Sequence, residues 1–325
     1  MACGKLDPNF KHHLCIMGMG LRNMKTSTPQ ILRPLKGVRV LSLSLNLPGP
    51  AALMRCQQMG ANCVKLEPPA PAGTPPGASG DPMGLYNRKA YETLHQGVRV
   101  ATADLKTEKG QKALHRELAK ADVLLTSFRP SALTKLGLDW KPLHKLYPAL
   151  SQVAIVGAPG ARAEEPGHDL TYLAESGLIT SLDLPPTLYA DMGGSLMASE
   201  AVLQTVLIQR QKGKGSYVEV ALSQAANYMA LPRNWGLTQD GAALGGGHAG
   251  YRVYPCKDGR VAVAALEPNF AKSLCAAAGV PYVNMLSMLA PATHQLITDY
   301  LLGMSRKALD ALAVEKDIPL YTLAG

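Results

Sequence analysis

Residues 38–67 read VRVLSLSLNLPGPAALMRCQQMGANCVKLE. The apolar run VRVLSLS at 38–44 has the length of a buried strand, residues 51–59 carry a helical pattern that stops at Gly60, and NCVKLE at 62–67 is a second strand closed by Pro68 and Pro69. Strand, helix and strand at this spacing form a unit whose two strands lie parallel. The Pro- and Gly-rich stretch 68–82 reads as an ordered surface loop. Beyond it the alternation returns: strand VRVATADL at 98–105, amphipathic 107–121, strand ADVLLTSF at 121–128, helical 131–137 and strand SQVAIVG at 151–157. This rhythm predicts an α/β fold with a doubly wound parallel sheet, whose ligand site lies at the carboxyl ends of the strands. The first loop, LNLPGP at 45–50, sits at such an end and is not a GxGxxG, so a nicotinamide cofactor is not supported.

After Asp191 the run MGGSLMASEAVLQTVLIQRQ predicts a strong helix, and KGKG at 212–215 a turn into the strand YVEVAL. That GKG lacks the GxxxxGK[ST] frame and follows a helix rather than a strand, so it is no phosphate loop. A different texture begins near 221: a helix, the Gly-rich loop ALGGGHAG at 243–250, a hairpin over YRVYPCKDGRVAVAAL turning at Lys257-Asp258-Gly259, and helical segments to the last residue. The predicted division is a disordered extension at 1–36, a large domain at 37–220 and a smaller α+β domain at 221–325.

Composition narrows the function classes. The chain has 325 residues, 47% hydrophobic and 18% charged, with no apolar run long enough to span a membrane, and it reads as soluble. Its net charge of +9 is concentrated at the start, where Lys5, Lys11, Arg22, Lys25, Arg33 and Lys36 face only Asp7. The remaining body is mildly basic, which suits a small anionic ligand and lacks the dense basic stripe with interleaved aromatics expected of a nucleic-acid binder. Cysteines at 3, 15, 56, 63, 256 and 275 form no CxxC pair and no metal-ligand ladder, so no metal site is expected, and Cys56 and Cys63 read as small core residues in a reducing cytoplasm. His12 and His13 near Cys3 and Cys15 are the nearest approach to a ligand set.

Three positions carry candidate chemistry, each with a plainer structural alternative. His168 in PGHDLTYLAESG stands just ahead of a helix that Asp169 is placed to cap, so it can be structural. Asp191 in YADMGGSLMA also precedes a helix, and the pair Gly193–Gly194 after it would let a ligand approach the backbone at the positive end of the helix dipole. Glu267 before Pro268 is by default a helix-start carboxylate.

Taken with their flanks, these residues lie in eight segments: LKGVRVLSLSLNLPGP, GANCVKLEPP, DLKTEKG, ADVLLTSFRPSALTKLGL, GHDLTYLAESG, YADMGGSLMA, GKGSYVEVAL and ALEPNF. In this order they resemble the class III CoA-transferase family, the carnitine dehydratase and bile-acid-inducible type, from about Leu35 to about Phe270. Within that family they look most like the α-methylacyl-CoA racemases. The resemblance implies a Rossmann-like large domain, an acyl-CoA thioester as substrate with no prosthetic group, and a homodimer. It further implies that Asp191 and His168 are paired bases, that Glu267 partners His168, and that Arg129 and the loop Pro48, Gly49 and Pro50 hold the CoA moiety. Arg99 is what remains of a more basic stretch before the DLK segment in relatives. His248, beside Gly245–Gly247, has no assigned role.

The residue types suit the implied reaction. Inverting a carbon next to a thioester needs one group to remove a proton from one face and another to deliver one to the opposite face. The enolate between these steps would be stabilised by backbone N–H donors at the Asp191-Met192-Gly193-Gly194 turn. If Asp191 instead attacks the thioester carbonyl, CoA transfer through an aspartyl-CoA anhydride follows. The racemase reading is preferred because the His and Glu positions are both filled. CoA transfer and a non-catalytic acyl-CoA-binding paralogue are the alternatives, with nucleic-acid binding through the basic extension the remotest.

Overall fold

Six strands, β1 (Arg39–Ser42), β2 (Asn62–Glu67), β3 (Arg99–Thr102), β4 (Val123–Thr126), β5 (Ser151–Val156) and β6 (Tyr217–Ala221), form one parallel sheet in the order β3-β2-β1-β4-β5-β6. The structure is a computed structural model that describes residues 32–75 and 78–325; the expectations for Cys3, His12, His13, Cys15 and the disordered extension up to residue 31 lie outside the described residues. Helices cover both sheet faces. α1 (Pro48–Gln58), α7 (Asp169–Glu175), α8 (Tyr189–Lys212) and α9 (Leu222–Met229) pack on one side; α4 (Glu108–Leu118), α5 (Pro130–Lys135) and α6 (Trp140–Leu146) pack on the other.

Because side chains alternate across a strand, each central strand feeds both cores. Val40, Val123 and Leu125 join Leu53 and Val202 on the α1 and α8 face, while Leu41, Val64 and Leu124 join Leu114 and Leu143 on the other. Strands buried on both faces read as unbroken apolar runs, which is why 38–44 and 151–157 stood out.

Several local expectations are corrected. Pro48, Gly49 and Pro50 are the first turn of α1 rather than a loop, since a proline there needs no hydrogen-bond partner for its missing N–H and has its φ already set; the first ladder bond runs from Ala51 N–H to the Leu47 carbonyl. The segment after the 68–82 loop folds into two short helices, α2 (Pro82–Tyr86) and α3 (Arg88–Leu94), capped by the side chains of Asp81 and Asn87. α8 begins at Tyr189, so Asp191 stands inside its first turn. The terminal helical expectation misses β9 (Leu320–Leu323), which pairs antiparallel with β8 (Gly259–Ala264), itself hairpinned to β7 (Tyr251–Cys256).

This three-stranded sheet has a separate core with α11 (Pro268–Ala277), α12 (Pro291–Leu302) and α13 (Arg306–Lys316). After β6 the chain stays with the large sheet for some distance: Leu222 and Ala226 of α9 belong to its core, and α10 (Leu231–Asn234) continues from α9. Among the described residues no helix is long and apolar enough to cross a membrane.

Candidate active site

Where β1 and β4 lie side by side, the connections leave for opposite halves of the sheet, and their carboxyl ends open a crevice. A cleft of about 270 Å3 lies there, walled by Leu45, Asn46 and Pro48 after β1, Ser127 and Arg129 after β4, and His168, Tyr172 and Asp191. Wider hollows elsewhere on the surface contain none of the predicted site residues.

Asp191 is the third residue of α8, and its backbone N–H donates to Asp169 Oδ1 at 3.0 Å. Its carboxyl pKa is raised from the ordinary 3.8 to about 6, first by burial and then by the negative charge of Asp169, with His168 acting in the opposite direction. A carboxylate poised near neutrality is suited to taking up and releasing a proton.

The surroundings of Asp191 correct two expectations. Its own amide is used by Asp169, and the Met192 N–H donates to the Leu188 carbonyl at 3.0 Å, while Gly193 and Gly194 lie within the helix ladder, so the 191–194 backbone does not present free donors to an enolate. Gly193 and Gly194 do not line the cleft. They face α9: a Cβ on Gly194 would stand 2.3 Å from Leu222 Cδ2, and one on Gly193 3.1 Å from Met229 Cε. The two glycines are there so that two helices can approach closely.

His168 is the N-cap residue of α7, with its backbone N–H donating to Thr171 Oγ1 at 3.0 Å and its carbonyl accepting from Thr171 N–H at 2.9 Å. Backbone groups make those bonds, and the exposed imidazole lines the cleft. Asp169, expected to cap α7, is instead its first residue, and its buried carboxylate serves the first turn of α8. One turn on from His168, Tyr172 also reaches the cleft. Its hydroxyl occupies space left by two glycines: a Cβ on Gly157 would lie 2.2 Å from it and one on Gly167 2.6 Å. Sequence reasoning passed over Tyr172, although the spacing of four from His168 places the two on one helix face.

Glu267 is not brought to this cleft within the chain. It is exposed at the N-cap of α11, beyond β8 of the small sheet, and absent from the cleft lining. Arg129 lines the cleft from the N-cap of α5, and Pro48 lines it from α1. Gly49 and Pro50 do not, because both are buried in the first turn of α1, where a Cβ on Gly49 would fall 2.0 Å from Ser44 Cβ. Arg99 lies at the amino end of β3, the wrong end of the sheet for the cleft, and its guanidinium is taken by Glu117 at 2.8 Å, which Arg39 shares. His248 is buried, and its Nδ1 accepts the Gly250 N–H at 3.0 Å, which braces the Gly-rich turn.

Among the described residues one His and carboxylate cluster has metal-like spacing, Glu67, Asp81 and His95, and the ammonium of Lys65 contacts all three. The Lys65 ammonium already occupies the position among these acceptors that a metal ion would take.

A doubly wound sheet with a half-buried carboxylate and an imidazole lining the crevice at its switch point defines the class, an α/β protein with a cleft at the carboxyl ends of its strands. The chain belongs to CoA-transferase family III, whose family model matches residues 35–321. It is 31% identical over 206 residues to cinnamoyl-CoA:phenyllactate CoA-transferase of Clostridium sporogenes, covering 59% of this chain and 50% of the relative. It is 28% identical over 264 residues to human alpha-methylacyl-CoA racemase, covering 76% and 65%. The chain thus spans about half the length of the first curated relatives it matches. A crystal structure of a CAIB/BAIF family protein from Brucella suis shares the fold with a TM-score of 0.71 at 21% identity, over 90% of this chain and 85% of that one.

Proposed function

We propose that the protein acts on an acyl-CoA thioester at the carbon beside the carbonyl, moving the α-proton between His168 and Asp191 as a 2-methylacyl-CoA racemase or epimerase. The observation that carries this reading is the presence of both bases on one cleft, with the Asp191 pKa raised to about 6. Arg129 and Pro48 on the same walls would hold the CoA moiety. A homodimer is part of the reading, because Glu267 lies outside the cleft of its own chain and approaches His168 only if a second copy brings it there. The large domain then supplies the bases and the small domain the supporting carboxylate. A cytoplasmic setting fits the buried free thiols of Cys56, Cys63, Cys256 and Cys275.

CoA transfer between carboxylic acids is the second reading. It is favoured by the absence of Glu267 from the cleft lining, since nucleophilic attack by Asp191 needs no support for His168. Incubation with a 2-methylacyl-CoA in D2O, with and without an acceptor carboxylic acid, separates the two. α-Deuterium incorporation without CoA transfer supports the racemase, and transfer without exchange overturns it. Measurable CoA binding with neither reaction would mark a non-catalytic binding protein.

A further inference from the structure

Lys65 on β2 is fully buried; its ammonium donates to Asp81 Oδ2 at 2.5 Å, meets His95 Nε2 at 2.8 Å and forms an ion pair with Glu67 Oε1 at 3.0 Å. His95 Nδ1 lies 2.6 Å from the Tyr91 carbonyl, so the ring carries its proton there and offers the Nε2 lone pair to Lys65. Burial, followed by the charge of Lys65, lowers the pKa of that imidazole, in keeping with the neutral form its two hydrogen-bond partners require. Glu67 is completed by the Tyr91 hydroxyl at 2.9 Å and the Ser79 hydroxyl at 2.6 Å. Two carboxylates, one ammonium and a neutral ring are costly to take out of water, and well-packed apolar side chains would join β2 to α3 at lower cost.

The use of that charge lies with the second oxygen of Asp81, which Lys65 leaves free. Asp81 Oδ1 accepts the N–H of Met83 at 2.9 Å, which caps α2, and the N–H of Asn46 at 2.9 Å, which lies 35 residues away on the cleft wall. Asn46 has φ of 64°, one of two non-glycine residues with positive φ among the described residues. An exposed asparagine tolerates that conformation without enforcing it.

We infer that Asp81, locked by Lys65, Glu67 and His95, is a positioning residue that holds Asn46 in its left-handed turn and so sets the wall formed by Leu45, Asn46 and Pro48. Its consequence for ligand binding rests on the acyl-CoA reading above. The hold itself does not.

The test is amide hydrogen exchange at Asn46, together with CoA affinity by titration calorimetry, on the full chain. Asp81→Asn keeps an acceptor oxygen but loses its charge; it should speed exchange at Asn46 and weaken CoA binding, each about tenfold. Adding Asn46→Gly, which enters positive φ freely, should recover CoA affinity to within about threefold without recovering the melting temperature, a split that a purely structural Asp81 would not produce. Unchanged Asn46 exchange in folded Asp81→Asn, or affinity that falls with stability and is not rescued by glycine, overturns the inference. If Asp81→Asn does not fold, exposed Asn46→Ala decides: faster exchange at residue 46 and weaker CoA binding are expected, whereas wild-type exchange overturns it. A wild-type chain that binds no CoA defeats the functional reading, and the exchange comparison still decides this one.

Discussion

Replacing Asp191 with asparagine should make the protein more stable above pH 6 while abolishing its activity. The carboxyl pKa rises from 3.8 to about 6 on folding, so the folded state prefers the protonated form. That preference is fully expressed below 3.8, is lost as the pH climbs towards 6, and leaves a constant deficit at higher pH. At 1.36 kcal/mol per pH unit the full deficit is about 3 kcal/mol. Solvent at the cleft reduces it, and removing a negative charge from the first turn of α8 gives back about 0.5 kcal/mol of helix-dipole stabilisation. The net expectation is a gain of about 1–2 kcal/mol at neutral pH that shrinks towards zero near pH 4. Urea unfolding followed by circular dichroism, at steps from about pH 4.5 to about pH 7.5, measures the difference. A variant less stable than wild type at neutral pH, or a gain of constant size across that range, would refute the reasoning. Lost activity with gained stability is the signature of a group strained for function rather than retained for the fold.

His168→Ala should remove α-proton exchange by at least about a hundredfold while sparing any CoA transfer, and parallel assays in D2O with and without an acceptor acid check this. Gly194→Ala should destabilise by about 1–3 kcal/mol, and more than Gly193→Ala, because the new Cβ meets Leu222 at 2.3 Å rather than Met229 at 3.1 Å; denaturant midpoints rank the pair. Cys56 and Cys63 should stay unmodified by a disulfide reagent at about pH 8 until the chain unfolds, since burial pushes the Cys56 pKa up to about 12 and that of Cys63 upward as well. Peptide mapping of the native and denatured protein locates the label.

The large sheet was legible because its central strands are buried on both faces and appear as apolar runs separated by helical periods. Local patterns around His168 and Asp191 left each a structural alternative; the resemblance of their flanking segments to a known family singled them out, and the two share the cleft. The glycines after Asp191 misled, because close approach of a ligand and close approach of a helix leave the same mark in a sequence. Asp81–Pro82 is a helix-start signal that went unread inside a stretch crowded with Pro and Gly, and with it went the helices between β2 and β3. β9 was missed because a short strand at the chain end has no partner until the hairpin β7–β8 is in place.

Order along the chain and strand and helix period were thus determined by the sequence alone, since each depends on neighbours within a few turns, whereas the two candidate bases were singled out by the resemblance to a family that their flanks carry. What required the tertiary structure is everything that joins distant segments: Glu267 outside the cleft, Tyr172 inside it, Arg99 turned to Glu117, and Lys65 buried among Glu67, Asp81 and His95. The reason is physical. Hydrophobic periodicity is a local property of the chain, whereas the burial and charge environment that set a pKa, and the orientation of a guanidinium or an amide, depend on which segments folding brings together.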